Sequence, residues 1–175
     1  LNDDRIDAMI AAFETIIALD DPVGELIETI QKENGLLIHK RRVPIGVIAM
    51  IYESRPNVTA DVAALCLKSG NAIILRGGSD ALRSNTAIVD VLLSAGKAAG
   101  LPDNALQLVS VTDRDAVRAL VQLEGKVDLV IPRGGAGLIK SVSEWARVPV
   151  IKNDKGLCHL YVDDSAEIAM ALKVC

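Results

Sequence analysis

The chain has 175 residues, half of them hydrophobic, with aromatic residues at only 2% and a net charge of −4. That length allows one domain with a real core, and the aliphatic composition suits a parallel sheet whose strands are buried on both faces by helices. No basic block stands out beyond Lys40-Arg41-Arg42, no apolar run is long enough for a membrane span, and the acidic start "LNDDRIDAMI" is unlike a signal peptide, which argues against nucleic acid, membrane insertion and secretion.

Residues 3–19 place Ile6, Met9, Ile10, Phe13, Ile16 and Ile17 on one face, predicting an amphipathic helix capped by Asn2 or Asp3. "DDPVGE" breaks the pattern, and residues 35–44 read as extended, with solvated basic side chains and a solvated His39. From there strands and helices alternate. Strands are predicted over 45–51, 71–76, 106–110, 127–131, 148–151 and 157–163, and helices over 59–69, 83–98, 113–122 and 135–146. Thr59 with Asp61, Ser79-Asp80, Thr112-Asp113 and Gly134-Gly135 mark helix starts. Gly70 and Gly100 mark helix stops, where a left-handed backbone is needed. The order predicts an α/β fold: a doubly wound, mostly parallel open sheet, Rossmann-like.

Cys66, Cys158 and Cys175 lie far apart with no CxxC, the usage of free thiols in a reducing compartment, by default the cytosol. Cys66 and Cys158 are expected to pack as small hydrophobes. His159 next to Cys158 suggests a dyad, but neighbours in a strand point to opposite faces, so none is expected. Nor is a metal site.

In an open parallel sheet, ligands bind beyond the carboxyl ends of the strands. Three such ends carry unusual residues. In "YESRPNVTAD" (52–61), Asn57 could donate its amide to a developing oxyanion, or simply cap the turn while Glu53 pairs with Arg55. In "ILRGGSDALRSN" (74–85), Arg76 offers a planar fork for a phosphate, Gly77 and Gly78 let a ligand approach the backbone, and Ser79 stands at the helix start; the plain alternative is a loop with a surface charge. In "VIPRGGAGLIKS" (130–141), Gly134, Gly135 and Gly137 sit at a helix N-terminus that favours an anion, beside Arg133. The last stretch lacks the lysine and hydroxyl residue of a P-loop, so ATP hydrolysis is not expected.

The segments "RRVPIGVIAMIYESRPNVTADVAALCLKSGNAIILRGGSDA", "VDLVIPRGGAGLI" and "GLCHLYVD" resemble the gamma-glutamyl phosphate reductases, the proline-biosynthesis branch of the aldehyde dehydrogenase superfamily. The resemblance implies a cytoplasmic enzyme that reduces L-glutamyl 5-phosphate with NADPH through a cysteine thioester, and it is compatible with a homo-oligomer of the full-length parent. It implies that Arg76, Gly77, Gly78 and Ser79 meet the adenosine ribose of NADP. Arg133, Gly134, Gly135 and Gly137 would then meet its pyrophosphate or a substrate phosphate. Asn57 falls near the oxyanion asparagine, with Glu53 and Arg55 as candidates for the substrate. The family's nucleophile belongs to a "QRPSTCN"-type motif that this sequence does not contain. Residues 1–175 are therefore expected to form one NADP-binding domain, cut at both ends and lacking the catalytic domain. The alternatives are a non-catalytic nucleotide-binding fragment, or an aldehyde dehydrogenase acting on another substrate.

Overall fold

The protein is described by a computed structural model covering residues 2–153, 156 and 158–174. Helix α1, Asp3–Ala18, starts where Asn2 predicts: its side-chain oxygen accepts the Arg5 backbone N–H at 3.3 Å. Strands β1 (Leu26–Gln31) and β2 (Leu37–Arg41) follow, paired as an antiparallel hairpin with every residue exposed. Only its second strand falls within the stretch read as extended. His39 stands on it, solvated as expected, with Nδ1 3.0 Å from the Thr29 hydroxyl.

The body alternates: β3 (Val47–Tyr52), α2 (Pro56–Lys68), β4 (Ala72–Arg76), a 3-10 turn at Ser79–Ala81, α3 (Leu82–Ala98), β5 (Leu106–Leu108), α4 (Arg114–Leu120), β6 (Leu129–Arg133) and α5 (Ala136–Trp145). A last helix, α6, spans Ile168–Val174. The four long-range strands pair in parallel in the order β5-β4-β3-β6. The chain therefore winds outward from β3 through β4 to β5, then returns to place β6 on the other side of β3. The gap between β3 and β6 is the topological switch point of a doubly wound sheet.

Burial follows the strand period of two. Ile48, Met50 and Tyr52 of β3 face Val58, Ala63 and Cys66 of α2 and Val89 of α3. Ala49 and Ile51 face the opposite way, into Val117, Leu120 and Val142 of α4 and α5. Gly70 and Gly100 follow their helices at φ +72° and +83°, as the helix-stop reading requires.

Several boundaries depart from expectation. Helix α2 begins at Pro56, not at residue 59, because proline at the first helical position needs no N–H partner. Strand β6 runs two residues later than 127–131, carrying Arg133 into the ladder opposite Tyr52. The apolar run at 148–151 makes only an isolated parallel bridge, Val150 to Val130, since Pro149 has no N–H to extend a ladder. Residues 158–163 form no strand, and Cys158 is exposed instead of packed; residue 157 lies outside the described residues.

Candidate functional site

At the amino ends of the strands, polar groups bind one another. The Asp128 carboxylate accepts the Val47 N–H at 2.8 Å, and Asn71 accepts the Gly46 N–H at 2.9 Å. A Cβ on Gly46 would run into Asp128, so glycine is required there by contact as well as by its φ of +124°.

The carboxyl ends are built differently, and the three turns singled out in the sequence meet there. A Cβ on Gly78 would stand 2.7 Å from the Ser54 hydroxyl oxygen, and one on Gly134 would stand 2.6 Å from the Glu53 carboxyl carbon. The turns at 77–79 and 133–135 thus each pack against the turn at 53–55, and Gly78 and Gly134 let them close on it. Gly137 has open space where a side chain would go.

Glu53 is fixed from two directions. Its backbone N–H donates to the Arg133 carbonyl at 3.2 Å, extending the β3–β6 ladder, and its Oε1 accepts the Gly135 N–H at 2.7 Å. Helix α5 has no cap from its own N-cap side chain, so a carboxylate from 82 residues away serves instead, where the helix dipole favours negative charge. Glu53 does not pair with Arg55. An open cleft of about 590 Å³ lies over this spot, lined by Glu53, Arg55, Arg133, Gly134 and Lys152, and a neighbouring one of about 720 Å³ continues along the exposed side of α5. Three cationic side chains around one cleft create a positive field suited to phosphates.

Arg76 is turned away from that cleft. Its guanidinium donates to the Gly77 carbonyl at 3.0 Å and the Thr112 carbonyl at 2.5 Å, tying β4 to the loop after β5. Burial lowers its pKa from the usual arginine value, and its Nε is buried with no acceptor. Ser79, in the 3-10 turn, has its hydroxyl 3.2 Å from Asp80.

Asn57 also lies apart. Exposed on the first turn of α2, it donates through Nδ2 to Asp61 at 3.3 Å, lining a second cleft against α1 with Arg5 and Met9. Arg55 lines both clefts and is the one candidate that joins them.

The sequence reading missed a polar chain beneath the site. The Tyr52 and Thr59 hydroxyls are 2.6 Å apart, and Thr59 donates to Asn85 Oδ1 at 2.9 Å. Burial raises the Tyr52 pKa, opposed by the hydrogen bond to Thr59. Thr59, expected as a helix start, is instead a fully buried link in this chain. A Cβ on Gly77 would collide with the Asn85 amide, so the network dictates glycine there. The available signal was Asn85 itself, a polar residue one helical turn before the buried Val89. The Cys66 thiol, pushed up to about 11 by burial, is inert at neutral pH, as expected.

A parallel sheet with a cationic cleft at its switch point defines the class, and sequence agrees: the pattern of the aldehyde dehydrogenase family matches residues 2–175. The chain belongs to that family. Within it, the chain is 56% identical over 174 residues to the gamma-glutamyl phosphate reductase of Xylella fastidiosa (strain 9a5c), covering 99% of this chain and 42% of that protein. It is 49% identical over 175 residues to that of Thermodesulfovibrio yellowstonii, again covering 42% of the relative. The crystal structure of gamma-glutamyl phosphate reductase from Thermotoga maritima superposes with a TM-score of 0.92 at 52% identity, over 99% of this chain and 42% of that one. The chain thus spans less than half the length of these relatives.

Proposed function

We propose that this chain is the NADP-binding part of a cytoplasmic reductase that converts L-glutamyl 5-phosphate to L-glutamate 5-semialdehyde on the route to proline. The observation that carries the reading is the meeting of three turns at the switch point, two of them glycine-bearing, over a cleft with Arg55, Arg133 and Lys152 on its walls. The similarity to gamma-glutamyl phosphate reductases supports the substrate.

The site suits a dinucleotide in its shape. Glycines 78 and 134 let the turns pack onto Ser54 and Glu53 at the edge of the cleft, and the Arg133 side chain offers a forked donor to a pyrophosphate's oxygens. Glu53 already holds the Gly135 amide, so Arg133 and the amides beyond Gly135 are the phosphate's partners in this reading. Gly77 and Ser79 stand beside the ribose segment. Arg76 reads a 2′-phosphate only by giving up a carbonyl of the 112–113 loop, and its preference for NADP over NAD is set by that exchange. The bound dinucleotide supplies the hydride. Arg55, open to both clefts, faces the acyl phosphate and offsets its charge as phosphate leaves. Asn57 is the alternative oxyanion donor, on the α1 side of Arg55. The thiol that the resemblance implies for attack on the acyl carbon is assigned to no cysteine of this chain in this reading. The exposed apolar residues of the β1–β2 hairpin, Leu37 among them, support a homo-oligomer of the full-length protein.

The test is substrate competition on the full-length protein. Phosphate-dependent oxidation of glutamate 5-semialdehyde by NADP should outrun oxidation of simple aliphatic aldehydes by more than about two orders of magnitude in kcat/KM, beyond what an apolar pocket alone provides. Equal rates would assign the chain to another branch of the family.

A further inference from the structure

We infer that the cleft between α1 and the start of α2 recognises the amino end of an amino-acid acyl phosphate, with Asp61 receiving its ammonium group. This deepens the proposed function and rests on it.

Helices α1 and α2 lie side by side and point the same way. Near their starts, Arg5 and Met9 of α1 share a cleft of about 590 Å³ with Arg55, Asn57 and Asp61. Near their ends, the Lys68 ammonium donates to the Ile17 carbonyl at 2.8 Å. Both guanidiniums, Arg5 and Arg55, therefore stand toward the amino-terminal end of the cleft. Among the described residues, neither has an ion-pair partner or a side-chain hydrogen bond. Asp61 follows Arg55 along α2 by six residues, about 9 Å of helix rise. Its recorded partner is the neutral Asn57 amide at 3.3 Å, which leaves the half-buried carboxylate without a cation. Met9 and its alanine neighbours give the floor between the charges an apolar surface.

Two unpaired cations and an unpaired carboxylate, held apart by helix geometry over an apolar floor, complement a ligand with a phosphate at one end, facing Arg55, and an amino-acid head at the other, whose ammonium faces Asp61 and whose α-carboxylate is left to Arg5. A short methylene chain would join the two ends. The polarity of the cleft fixes the direction. Arg55 also lines the strand-end cleft, so the acyl phosphate lies there and the amino group points away, toward Asp61. A plain anion gains nothing from Asp61 and is repelled by it, which makes this carboxylate the specificity-determining group.

The experiment measures binding to the full-length protein by calorimetry, using a stable phosphonate analogue of L-glutamyl 5-phosphate and the same compound without its amino group. The wild-type protein should bind the aminated analogue at least tenfold more tightly. Asp61→Asn should bind the two alike, with affinity for the desamino compound no weaker than in the wild-type protein and affinity for NADPH unchanged. Arg5→Ala should weaken both analogues equally. Equal affinities in the wild-type protein, or a preference kept by Asp61→Asn, overturns the ammonium site while leaving the proposed reaction standing. Binding of neither analogue by the wild-type protein overturns both. Because the wild-type comparison needs no substitution, the result stands even if Asp61→Asn fails to fold.

Discussion

The two edges of the parallel sheet use similar residue types to opposite ends. At the amino edge, Asp128 and Asn71 accept the N–H groups of Val47 and Gly46, and glycine is required because a carboxylate already fills the space. At the carboxyl edge, Glu53 accepts from Gly135, but Arg55 and Arg133 around it face an open cleft. One edge is closed on itself and serves stability. The other keeps its cations for something that is not part of the chain, as the switch point of an open α/β sheet would.

That contrast can be broken by substitution. The largest expected effect is on turnover: Arg55→Ala in the full-length protein should lower kcat about a hundredfold, while its melting stability stays within about 0.5 kcal/mol of wild type. Asn57→Ala in the same assay should lower kcat by a similar factor if its amide meets the developing oxyanion, and an unchanged rate would leave Asn57 as the partner of Asp61. Next, Arg76→Ala should weaken NADPH binding about tenfold more than NADH binding, in the range of a charged hydrogen bond. Equal losses would leave Arg76 as the tether of the 112–113 loop. Gly134→Ala drives a Cβ into Glu53 and should cost about 1–3 kcal/mol in denaturant unfolding, because the carboxylate must leave the α5 start. The smallest effect belongs to the closed edge: Asp128→Ala should cost about 1 kcal/mol and leave turnover untouched.

The sequence was most legible where period and punctuation agree. The alternation of aliphatic strands with helices, and glycines at 70 and 100, place the sheet without any tertiary information. What escaped was pairing at a distance. Nothing near Glu53 indicates that its partner is the amide of Gly135, and nothing near Arg76 points to the carbonyl of Thr112. Both are backbone partners, which carry no side-chain signature. Strand β1, "LIETIQ", was missed because all of its residues are exposed, so no burial period sets it apart from a polar loop. The run at 148–151 points in the other direction: Val148 and Val150 pack against the core, but a proline between them interrupts the hydrogen bonding.

Hydrogen–deuterium exchange of the full-length protein with and without NADPH tests the central claim most directly. Binding should slow exchange together in the turns at 53–57, 76–79 and 133–137, and leave the opposite edge around Gly46, Asn71 and Asp128 unchanged. Protection confined to one turn, or falling on the closed edge, would contradict it.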